Sequence, residues 1–108
     1  QTAPQLFRLD GRTALITGGS RGLGEEIANG LAEAGANVYL VARRDKWLIP
    51  ALEHLRATGA RCAGSACDVT EPEQVKRAVH HAGETFGHVD ILVNNAGATW
   101  GAPAEEMP

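Results

Sequence analysis

The sequence predicts an α/β fold, a parallel sheet of four strands joined by three helices that cover both faces. Three observations carry that prediction. Short apolar runs alternate with segments of helical period along the chain. Each helical segment is followed by a glycine, Gly35, Gly59 or Gly87, suited to end it. A glycine-rich turn, Gly18-Gly19-Ser20-Arg21-Gly22-Leu23-Gly24, links the first strand to the first helix. Right-handed crossovers then make the sheet parallel, and the strand order expected of a doubly wound fold is 3-2-1-4.

The first strand is read over residues 12–17, with Leu15 and Ile16 at its centre. The first helix covers 23–34, where Leu23, Ile27 and Leu31 recur at helical spacing. The second strand, Asn37–Ala42, is almost wholly apolar, as a strand covered on both faces should be. The second helix runs from about 46 to 58, with Leu48, Leu52 and Leu55 on one face. Pro50 fits only the first turn of a helix, which argues for a start near Ile49. The third strand covers 61–67 and is weakened by Gly64. Thr70 and Glu73 form a capping-box pair before the third helix. Val75, Ala78, Val79, Ala82 and Phe86 are expected to face inward from that helix. The fourth strand covers 89–93, and 94–108 reads as loop. Val89, Ile91, Leu92 and Val93 are too apolar for an exposed edge, so a further partner is expected beside them.

A chain of 108 residues with 44% hydrophobic content is expected to be globular, one small domain over 1–108 or part of a larger one. The net charge of -3 gives no electrostatic case for nucleic acid or an anionic membrane as partner. No apolar run approaches the ~20 residues of a membrane span. Residues 1–9 lack the charged start and apolar centre of a signal peptide, so a cytoplasmic location is expected. Cys62 and Cys67 lie on one strand with side chains on opposite faces, and are expected to be free thiols. His54, His80, His81 and His88 are expected at the surface, with no metal site among them. Trp47 and Trp100 are expected to pack against the fold, with a pocket wall as the alternative for Trp100.

The glycine-rich turn carries the chemistry. A backbone without side chains passes close to a bound phosphate, and its amides and the helix dipole hold the charge. The pattern is not the generic G-x-G-x-x-G, because Ile27 fills the last position counted from Gly22. It is not a P-loop either, since no Gly-Lys-Ser/Thr follows. It is best written Thr17-Gly18-x-x-x-Gly22-x-Gly24.

With Asp68-Val69 after the third strand and Asn94-Asn95-Ala96-Gly97 after the fourth, the chain resembles the N-terminal half of a short-chain dehydrogenase/reductase. The resemblance covers essentially the whole chain. It implies a Rossmann-type domain, incomplete here, with a nicotinamide dinucleotide as cofactor. Gly18, Ser20, Arg21, Gly22, Leu23 and Gly24 would surround its pyrophosphate. Asp68 and Val69 would meet the adenine, and Asn95, Ala96 and Gly97 the riboses. Asn94 is implied to tie the fourth strand to its neighbours.

Folds that bind NAD place an acid at the tip of the second strand. Ala42 stands there instead, and Arg43 and Arg44 follow. A guanidinium suits the 2′-phosphate, so NADP(H) is expected in preference to NAD(H). Arg43 and Arg21 are favoured over Arg44 for that contact, and Asp45 lies too late to replace the acid.

The resemblance further implies hydride transfer between an alcohol and a carbonyl. It is nearest to the branch of 3-oxoacyl-carrier-protein reductases and gluconate 5-dehydrogenase. Such enzymes use a Tyr base, a Lys and a Ser. The lone tyrosine here, Tyr39, sits mid-strand, with Arg43 four residues on, so these residues are expected to contain no catalytic group. The substrate, a small alcohol or ketone, the rest of the subunit and a homo-oligomer (tetramer or dimer) complete that picture. The competing reading is a free-standing NADP-binding module with a regulatory or interaction role, which needs a capped fourth strand.

Overall fold

Two strands are buried along their whole length and organise everything else. They are β1 (Thr13–Thr17) and β2 (Asn37–Ala42). In this computed structural model, which describes residues 8–18 and 22–95 apart from the Leu23 side chain, they form the centre of a parallel sheet. Its order is β3-β2-β1-β4, with β3 (Cys62–Ala66) and β4 (Ile91–Asn94) outermost. The predicted class and strand order are those observed.

The strand alternation divides the core in two. Ile16, Val38, Leu40 and Ala42 face α1 (Gly22–Glu33) and α2 (Asp45–Ala57). Leu15, Tyr39 and Val41 face α3 (Pro72–Phe86). Each fully buried large side chain contributes about 1.5–3 kcal/mol relative to exposure. Cys62 packs toward the first layer and Cys67 into the second, and both thiols are free. Burial pushes both thiol pKa values up.

The helices depart from expectation in three places. First, α2 begins at Asp45, so Pro50 lies inside it rather than in a first turn started near Ile49. The Arg44 carbonyl accepts from the Trp47 and Leu48 amides and starts the helix early. Pro50 deprives only the Lys46 carbonyl of a partner, and both residues face solvent. Second, the Thr70–Glu73 capping box does not form. Pro72 sets the first helical position and Glu71 is the N-cap, without a side-chain cap. Third, Val79 is 39% exposed, because Ala78 and Ala82 make the close contact with the sheet and turn it to the rim.

Other differences are local. Gly64 is a packing site more than a weakness. A Cβ there would meet the Leu40 carbonyl and lie 3.0 Å from Leu48 Cδ1, so its absence lets α2 close on the sheet. Trp47 is 39% exposed, with the Lys46 ammonium 5.0 Å from its ring centre. On β4, Leu92 is in register with buried Leu15 yet 51% exposed. The apolar outer strand expected from the sequence is therefore open among the described residues.

Tyr39 is fully buried, and its hydroxyl donates to Ser65 Oγ at 3.0 Å and pairs with His81 Nδ1. The His81 ring stands edge-on, with centroids 5.5 Å apart. His81 is exposed, as expected, and its ring also fastens α3 to β2. Burial pushes the Tyr39 pKa up, the Ser65 bond opposing and Cys67 assisting. Since the folded chain resists ionising Tyr39, this contribution is complete below pH ~10 and is lost as pH rises through the folded value. Tyr39→Phe should cost about 1–2 kcal/mol in chemical denaturation at neutral pH. It should also remove that part of the alkaline loss. Equal stability of the two proteins at neutral pH would show that the hydroxyl ties nothing.

Candidate functional site

Parallel strands place all their C-terminal ends on one edge of the sheet. The order reverses between β1 and β4, which opens a crevice at that edge. The Thr17 hydroxyl bridges it, donating to Asn94 Oδ1 at 3.1 Å and accepting from the Asn95 amide at 3.0 Å. The Gly18 amide donates to the Val41 carbonyl at 2.8 Å, tying the start of the turn to β2.

The glycines of the turn have separate reasons. Gly18 and Gly22 hold φ of 69° and 56°, a region that penalises any side chain with a Cβ. Gly24 is needed for space. A Cβ on it would collide with the Gly18 carbonyl oxygen and lie 2.6 Å from Asn95 Nδ2. The first turn of α1 therefore lies directly against both the turn and the end of β4.

Arg43 and Arg44 follow β2 and are exposed, while Ala42, where an acid would stand, is 5% exposed. Arg44 is the N-cap of α2. Asp68 follows β3, and its Oδ2 lies 3.7 Å from Arg43 Nη2. Its Oδ1 accepts from the Thr70 hydroxyl at 2.6 Å and the Thr70 amide at 2.9 Å. The Thr70 hydroxyl, its amide and then Arg43 hold the Asp68 carboxyl below its ordinary pKa. Val69 packs beside the α3 layer.

Gln74 was not singled out in the sequence. It is the third residue of α3, and its Oε1 accepts from the Asp68 amide at 2.8 Å. The readable signal was a glutamine two places after a proline that starts a helix. Ser20, Arg21, Ala96, Gly97 and Trp100 lie outside the described residues, as does the Leu23 side chain.

Gly18, Gly22, Gly24, Arg43, Asp68, Val69 and Asn95 are thus gathered at one edge, from all four strand ends. A turn in which Gly24 leaves no room for a Cβ, a fixed carboxylate and an exposed guanidinium beside it thus share that edge. A groove of about 470 Å³ lined by Asn29, Glu33, His54 and Thr58 lies at the far ends of α1 and α2 and includes none of these residues. Among the described residues no His, Cys, Asp or Glu cluster suits a metal ion. No described helix is long and apolar enough to cross a membrane.

The family model for short chain dehydrogenase matches residues 12–108. The chain belongs to the short-chain dehydrogenase family. Its relatives in that family include the rhamnolipids biosynthesis 3-oxoacyl-[acyl-carrier-protein] reductase of Pseudomonas aeruginosa, 44% identical over 94% of this chain and 40% of the relative. Gluconate 5-dehydrogenase of Gluconobacter oxydans is 42% identical over 96% of this chain and 41% of the relative. A solved Pseudomonas aeruginosa RhlG/NADP active-site complex superposes with a TM-score of 0.77 at 42% identity, covering 86% of this chain and 37% of that one. The chain spans about 40% of the length of these curated relatives. It shares the sheet and helix arrangement of short-chain dehydrogenases, an oxidoreductase family with a nucleotide-binding fold.

Gly24→Ala should lower stability by about 1–3 kcal/mol through overpacking. Asn95 and the Gly18 turn should also be displaced, weakening binding of a dinucleotide. Thermal unfolding and a cofactor titration check both effects. A variant that melts like its parent would remove the close approach from the account.

Proposed function

We propose that these residues are the cofactor-binding half of an NADP(H)-dependent oxidoreductase acting on an alcohol/carbonyl pair. The observation that carries the reading is the tip of β2: a buried Ala42 in the acid's place, then an Arg43 side chain that is 74% exposed beside Asp68. The NADP named in the RhlG complex supports the same cofactor.

Each strand end has a part in that reading. The amides from Gly18 to Gly24 and the N-terminus of α1 hold the pyrophosphate. Arg43, with Arg21, takes the 2′-phosphate, and Arg44 is the lesser contributor. Asp68 accepts from the adenine amino group, and Val69 lies beside the ring. Asn95, Ala96 and Gly97 line the riboses. The bound nicotinamide supplies the hydride chemistry. Tyr39 takes no part as a base, since it is buried and bonded to Ser65 and His81.

The substrate class follows the relatives, which include a 3-oxoacyl-[acyl-carrier-protein] reductase and gluconate 5-dehydrogenase. We place the catalytic Ser, Tyr and Lys, and the surfaces that pair subunits, outside these residues. Among the described residues the apolar face of β4 is open at Leu92, which disfavours a free-standing module.

Arg43→Asp should weaken NADPH binding about 10- to 100-fold, the worth of a charge-assisted contact. NADH binding should hold or improve. Fluorescence titration with each cofactor reads both. Unchanged NADPH affinity would show that Arg43 does not hold the 2′-phosphate.

A further inference from the structure

Asp68 faces two ways. Thr70 holds its Oδ1 with two donors, and Gln74 holds its backbone amide. The other oxygen, Oδ2, faces the Arg43 guanidinium at 3.7 Å. The carboxylate is clamped, with a side chain 27% exposed, while the Arg43 side chain is 74% exposed. In this pair, therefore, the anion is the held member and the cation is the one open to solvent.

We propose that Asp68 competes with the cofactor's 2′-phosphate for Arg43, and so sets how strongly NADP(H) is preferred to NAD(H). The proposal rests on Arg43 being the 2′-phosphate ligand. The contact is single, exposed and longer than a hydrogen bond, so it yields to a doubly charged phosphate that can accept two bonds at once. Asp68 does not yield in turn. Thr70 and Gln74 keep its charge beside Arg43, where it would repel a 2′-phosphate held by that guanidinium. NADH carries no such phosphate and feels neither the competition nor the repulsion. A shared adenine contact affects both cofactors alike and cancels in the ratio of their dissociation constants. Asp68 is therefore a specificity residue acting against the arginine next to it.

The test is titration of NADPH and NADH against the protein, Asp68→Asn, Arg43→Gln and the double variant. Asn keeps an oxygen for Thr70 and removes the charge. Asp68→Asn should raise the ratio Kd(NADH)/Kd(NADPH) about three- to fivefold, the size of an exposed charge effect. The same change should move the ratio less in the Arg43→Gln background. A ratio that stays or falls in Asp68→Asn, while Arg43→Gln abolishes the NADPH preference, overturns the proposal alone. A preference that survives Arg43→Gln overturns the 2′-phosphate reading and the proposal with it. Asp68→Ser is read in the same way if the Asn variant does not fold.

Discussion

No side chain fits between the first turn of α1 and the carbonyl of Gly18. That contact at Gly24 fixes the entry angle of the helix, and with it the shape of the turn that precedes it. It also brings Asn95, at the end of β4, into the same contact. A helix standing one methyl further out would separate the turn from the sheet and widen the crevice at the strand reversal. The left-handed conformations of Gly18 and Gly22 follow from the same demand, since the chain must leave β1 and re-enter a helix within a few residues.

The rest of the fold supplies a rigid base for that arrangement. β1 and β2 are buried throughout, so their ends move only with the sheet. Hydrogen bonds then extend the rigidity past the last strand residues. Gly18 is held to Val41, Asn94 and Asn95 to Thr17, and Asp68 to Thr70 and Gln74. Exposed residues such as Arg43 are the adjustable parts of an otherwise fixed edge.

Much of this was legible in the sequence. The apolar runs of β1 and β2 and the glycines after each helix located the elements, and the crossover rule with the doubly wound pattern supplied their order. The positions of Gly18 to Gly24, Arg43, Asp68 and Asn95 could be read as strand ends because each follows such a run. Pro50 misled because a missing amide inside a helix matters little where the bereft carbonyl meets water. The capping box misled because Pro72 fixes the helix start and leaves Gln74, two places on, to reach back. The Tyr39–His81 bond joins residues 42 apart in the chain and has no local signal at all. The pairing of Asp68 with Arg43 is similarly a property of two loops that meet only when β2 and β3 lie side by side.

The strand ends that meet at the crevice come from separate parts of the chain, and none of them is near another until the sheet has formed. A molecule that touches several of them at once binds the assembled sheet and has nothing to hold in the unfolded chain. Its binding energy is then added to the stability of the fold by mass action, as RT ln(1 + [L]/Kd). The parallel topology makes occupancy and folding one equilibrium. A cell's supply of the ligand would act on the lifetime of the protein as well as on its activity.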